Sequence, residues 1–122
     1  MFEFFAWKRK REVQGLNKDA QLIIEYAEQT TRPERVLEIS RLTSLHLEHA
    51  IKIFGTTPIG LKRTIDEYKR LHNEARRQRD DISLSAFTLV QIYIRSKAVG
   101  KDCQPAIETI DTFMKRSEQT LD

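Results

Sequence analysis

A single cysteine, Cys103, among 122 residues leaves no internal disulfide to be made and fits a reducing compartment. A chain of this length can bury roughly two thirds of its unfolded surface, so a hydrophobic core, and not a covalent staple or a structural metal, has to hold the fold. Only four glycines and three prolines occur, which excludes collagen-like and linker-rich architectures. Gly15, Gly55, Gly60 and Gly100 are scattered, so no Gly-rich cradle for a nucleotide phosphate is present. Long apolar runs are missing too. The least charged stretch, Ile82 to Ile94, is short and carries Ser83, Ser85, Thr88 and Gln91, too polar for a bilayer span. Near the amino terminus the basic run Lys8–Arg11 follows the apolar residues, the reverse of a secretory signal. The expectation is an unprocessed, cytoplasmic chain forming one domain.

Catalytic equipment is equally thin. Cys103 has Asp102, Gln104 and Pro105 beside it and no neighbouring cation to lower its pKa. His46 and His49, with His72 or Glu48, make a metal site conceivable, but the spacing is not that of a zinc-binding HExxH helix. The carboxylate pairs Asp66-Glu67 and Asp80-Asp81 are adjacent in sequence and would point apart on a helix. No nucleophile, base and orienting group can be assembled, so the expectation is a protein without enzymatic activity, cofactor or metal.

What is abundant is helical periodicity. Leu16, Ala20, Ile23 and Ala27 predict a first helix over 16–30, ended by Arg32-Pro33, with Asn17 or Asp19 as its cap. From Val36 to Phe54 apolar residues point in nearly every direction, so this element is either fully buried or broken at Thr43-Ser44. After Gly55, Thr57-Pro58 starts a third helix with Leu61, Ile65, Tyr68, His72 and Ala75 on one stripe. Ser83–Val99 reads as a buried central helix stopped by Gly100. The run Phe87–Ile94 is rich in β-branched and aromatic residues and alternates like a strand, but no second strand exists to pair with it. Pro105 opens a fifth amphipathic helix carrying Ala106, Ile107, Ile110, Phe113, Met114 and Leu121. The fold class expected is all-α: a helical domain over 16–122 forming one bundle of about five helices, preceded by an aromatic and basic arm over 1–15.

Three surfaces stand out. On the third helix Lys62-Arg63, Lys69-Arg70 and Arg76-Arg77 recur every seven residues opposite the apolar stripe. Residues 61–79 hold seven Lys or Arg against three Asp or Glu, an excess of four where the whole chain has an excess of three, so the net positive charge is concentrated here. Such a rail suits a run of phosphates. The competing reading is an ordinary charged surface helix tied by i,i+4 pairs such as Asp66 with Arg70. A coiled-coil seam is a third, but the stripe lasts only about two heptads.

Second, the spacing of Ile39, Ser40, Ser44, Leu45, Ala50 and Ile53 is compatible with a helix-turn-helix over 36–54. Its second helix would offer His46, His49 and Lys52 to nucleic acid. Ser40, Thr43 and Ser44 depart from the residues that motif prefers, and Glu48 would repel phosphate.

Third, Phe2, Phe4, Phe5 and Trp7 precede Lys8, Arg9, Lys10 and Arg11 directly. This segment reads as a lid on the core, as a docking arm for a partner protein or as a peripheral contact with an anionic membrane. The function expected is that of a small binding or regulatory protein meeting an anionic partner through its basic helix, nucleic acid ahead of an acidic protein. The alternative is a membrane-surface or protein-docking adaptor using the amino-terminal segment. Periodicity shows which face is apolar and not what covers it, so a second copy of the chain is a further candidate partner.

Overall fold

A computed structural model describes residues 2–119, with side chains over residues 6–116. The chain is an all-α bundle of five helices: α1 (Phe2–Thr30), α2 (Pro33–Phe54), α3 (Pro58–Arg77), α4 (Asp81–Val99) and α5 (Gln104–Gln119), with a single 3-10 turn at Lys101–Cys103 before the last. No strand occurs among the described residues. Leu121, expected on the fifth helix, lies outside them.

The centre is α4, which packs against each of the other four helices. Ala86, Leu89, Val90 and Ile94 are at most 1% exposed, and burying a large apolar side chain contributes about 1.5–3 kcal/mol. That burial overrides the strand preference of the Phe87–Ile94 run. Around it lie Leu16, Ala20, Ile24 and Ala27 of α1, Ile39, Leu47 and Ala50 of α2, Leu61, Tyr68 and Ala75 of α3, and Ala106, Ile110 and Phe113 of α5. In α1 the residue at the core is Ile24, while Ile23 lies at its edge.

Local chemistry sets the helix ends. Pro33 opens α2 after an extended Arg32 that supplies no side-chain cap. Thr57 Oγ1 accepts from the Gly60 amide at 3.1 Å to start α3. Gly60 is itself a packing requirement, since a Cβ there would collide with the carbonyl oxygen of Phe54. At the end of α3, Arg79 adopts a left-handed φ of 56°. The Asp80 amide reaches back to the Ala75 carbonyl at 3.0 Å and the Arg79 amide to that of Arg76 at 3.2 Å, a Schellman closure without the usual glycine. Asp80 then caps α4 by accepting from the Ser83 amide at 3.1 Å and its hydroxyl at 2.6 Å.

Three sequence expectations change. The helix-turn-helix over 36–54 does not form, because α2 is unbroken from Pro33 to Phe54. Thr43 donates its hydroxyl to the Ile39 carbonyl within the helix at 2.7 Å, and Ser40 donates to the Phe113 carbonyl of α5 at 2.9 Å. Both small polar residues are satisfied without a break, and α2 is not fully buried either: Leu45 and Ile53 face solvent at 61% and 57%. The first helix starts at Phe2, so the position 15/16 falls inside a continuous helix. Asn17 caps nothing in α1. It crosses to α5, where its carbonyl accepts from the Ala106 amide at 3.1 Å and its amide donates to the Asp102 carbonyl at 3.0 Å.

Candidate nucleic-acid interface

The face of α3 opposite Leu61, Thr64, Tyr68 and Ala75 is open to solvent, and Lys62, Arg63, Lys69, Arg70, Arg76 and Arg77 are all exposed on it. At about 100° of turn per residue the six cations fall into two rails. Lys62, Lys69 and Arg76 form one, spanning about 21 Å along the axis; Arg63, Arg70 and Arg77 form the other, about 80–100° around the helix.

The rails differ in their electrostatics. The second runs beside Glu67 and Glu74, and its central member is clamped there. The Arg70 guanidinium hydrogen-bonds Glu67 and lies 3.6 Å from Glu74. The hydrogen bond from Arg70 holds the Glu67 carboxyl below its ordinary range, and the same contact raises the Arg70 pKa. The Asp66 pairing expected for Arg70 is therefore replaced by one with Glu67 and Glu74. In the first rail, Lys62, Lys69 and Arg76 make no ion pair among the described residues.

One cation near this rail was not visible in the sequence. The start of α3 lies beside the end of α4, and Lys62 and Lys97 line the same 360 Å³ cleft, floored by Pro58, Leu61, Ile65 and Ala98. Lys97 also sits 5.6 Å above the Tyr93 ring. Its place depends on how two helices pair, which spacing within one helix cannot show.

The residues proposed from α2 separate. His49 and Lys52 are exposed. His46 instead turns toward the core: its Nδ1 lies 2.8 Å from the Tyr68 hydroxyl, and its ring packs edge-on against Phe87 and Tyr68 with centroids 4.9 and 5.5 Å away. Burial lowers the His46 pKa, aided by His49, and pushes the Tyr68 phenol up to about 12. A neutral imidazole in this place joins α2 to α3 and α4 and is turned away from any phosphate.

In the amino-terminal segment, every residue from Ala6 to Glu12 is exposed. Trp7 is 56% exposed, so it does not act as a lid on the core, and the Arg11 guanidinium lies 5.3 Å over its ring. Lys8 and Lys10 face solvent, whereas Arg9 reaches the Val99 carbonyl at 3.5 Å and Asp102 at 3.6 Å. The side chains of Phe2, Phe4 and Phe5 lie outside the described residues.

Elsewhere, Cys103 is buried, and burial pushes its thiol pKa up. Among the described residues no group of three His, Cys, Asp or Glu is placed to hold a metal ion, and no helix is long and apolar enough to cross a membrane. No family model, characterised protein or solved structure matches the chain.

Proposed function

We propose that the protein is a non-enzymatic binding or regulatory protein of the cytoplasm whose α3 surface takes an anionic partner, and that this partner is nucleic acid. The observation that carries the reading is the Lys62–Lys69–Arg76 rail, three exposed cations in line with no ion pair among the described residues. Duplex DNA presents one negative charge per about 1.7 Å of axis, so a rail of about 21 Å meets several phosphates at once. Lys97 adds a fourth cation at one end.

The rail is a straight line of charge at the spacing of about two helical turns per cation, which suits phosphates along a backbone. The contact proposed is with the phosphate backbone. Arg63 and Arg77 flank it, while Arg70 is already occupied by carboxylates.

The test is binding to a labelled random-sequence duplex by two variants with equal changes of net charge. One carries Lys62→Glu, Lys69→Glu and Arg76→Glu; the other carries Arg32→Glu, Arg35→Glu and Arg41→Glu on exposed parts of the chain around α2. The first is expected to lose binding and the second to keep most of it. Equal losses would mean that only net charge matters. Displacement of the duplex by an acidic polypeptide at matched charge would move the reading to an acidic protein partner.

A further inference from the structure

We infer that the first turns of α1 form a second, separate interaction surface, one that fits the anionic face of a lipid bilayer. With 29 residues α1 is the longest helix, about 43 Å, and its exposed stretch from Ala6 to Glu12 extends past the part that packs on the core, which begins at Val13 and Leu16.

The charges on this extension are sorted by direction. Taking Trp7 as reference, Arg11 and Lys18 lie within about 40° of it, Lys10 about 60° to one side and Lys8 about 100° to the other. All of these are exposed. Glu12 and Asp19 lie about 120–140° away, and Arg9 points to the opposite side, where it meets Val99 and Asp102. Lys8 lies on the same side as Glu12 and Asp19, so the outward face between Trp7 and Lys18 carries an exposed indole and three cations, Lys10, Arg11 and Lys18, without a carboxylate among them.

Arg9 reaches the end of α4 and the turn after it from the side of α1 opposite this face. An indole on a helical face among cations matches the headgroup layer of an anionic leaflet, with the ring at the interface and the cations against lipid phosphates and carboxylates. Charge complementarity selects the bilayer over an apolar groove on another protein, which would have to leave three cations unpaired. One ring and a few cations give reversible binding, not anchoring.

Trp7 is the single tryptophan of the chain, so its fluorescence reports on this surface alone. The intact protein is mixed with vesicles of phosphatidylcholine, with or without about one third phosphatidylserine, while pelleting and emission are recorded. The expected result is a shift to shorter wavelength and quenching by shallow spin-labelled lipid, only with the anionic vesicles and reversed by salt. Each cation near the surface changes partitioning about fivefold, so Lys10→Gln, Arg11→Gln and Lys18→Gln together should weaken it about a hundredfold. Those side chains are exposed, so the variant's helical circular dichroism should be unchanged, which separates lost binding from lost folding. Pelleting with unchanged Trp7 emission would place the contact on another surface, α3 included, and overturn the inference. Failure to pellet at low salt would overturn it too, leaving the face to a protein partner. Neither result bears on nucleic-acid binding by α3.

Discussion

His46 of α2 and Tyr68 of α3 are joined twice: imidazole Nδ1 and phenol oxygen lie 2.8 Å apart, and the Tyr68 hydroxyl lies 3.3 Å from the His46 carbonyl. With the Phe87 ring closing the third side, this is a polar joint between α2 and the helix that carries the basic rails, and Gln91 of α4 adds a second by donating to the Tyr68 carbonyl at 3.3 Å. Together with the packing of Leu61, Tyr68 and Ala75 into the core, these contacts set which face of α3 is turned outward.

The joint makes stability depend on pH. The His46 pKa in the folded chain lies below its ordinary value of 6.5, chiefly through burial, so the unfolded chain takes up the proton more readily. Stability is whole above the unfolded pKa and falls as pH drops through 6.5 toward the folded value. Melting temperatures at pH 7.5 and pH 5 should show a decrease in acid, and His46→Gln should flatten that part of the profile while lowering stability at pH 7.5.

Two glycine substitutions should have opposite signs. Gly60→Ala places a methyl group against the Phe54 carbonyl, which is backbone and cannot swing aside, so a loss of about 1–3 kcal/mol is expected. Gly15→Ala lies inside α1 with open space around the new Cβ. There the gain is about 0.5–1 kcal/mol from helix propensity. Urea midpoints of the two variants measure both.

Arg79 holds a left-handed backbone at the end of α3, a conformation that costs an ordinary L-residue about 1–2 kcal/mol. Arg79→Gly relieves that strain at some cost in chain entropy, so a net gain of up to about 1 kcal/mol is expected. A lower melting temperature would show that the arginine side chain compensates its own backbone.

Asn17 serves α5 from across the bundle. Asn17→Ala removes a partner from the Ala106 amide and from the Asp102 carbonyl, a loss of about 1–2 kcal/mol. Amide exchange should rise first at Ala106 and Ile107. Exchange that rises evenly throughout the chain would mean that the side chain supports the whole fold and not this helix end.

Much of the architecture was legible because apolar spacing within a helix reflects burial directly. Leu61, Tyr68 and Ala75 in α3, and Ala106, Ile110 and Phe113 in α5, lie where periodicity puts them. The β-branched Phe87–Ile94 run was resolved by the lack of a strand partner. Thr43-Ser44 misled, because small hydroxyl residues favour a break, yet Thr43 packs inside a continuous helix by donating to the Ile39 carbonyl, while Ser40 meets α5 and not a second helix of a motif. The start of α1 was hidden because Ala6 to Glu12 are all exposed and leave no apolar pattern. At the candidate surface the exposure of the six α3 cations could be read from the chain. The clamping of Arg70, the sharing of one cleft by Lys62 and Lys97 and the withdrawal of His46 depend on rotamers and helix pairing.

The most direct test of nucleic-acid binding by the α3 rail is the salt dependence of binding to a random-sequence duplex, followed by fluorescence anisotropy from about 50 to 200 mM salt. Three to four phosphate contacts predict a slope of log affinity against log salt of about −3, and a loss of about 40–150-fold across that range. Lys69→Glu should make the slope shallower by about one contact or more without unfolding the protein. A slope near zero, or one that Lys69→Glu leaves unchanged, would contradict the account.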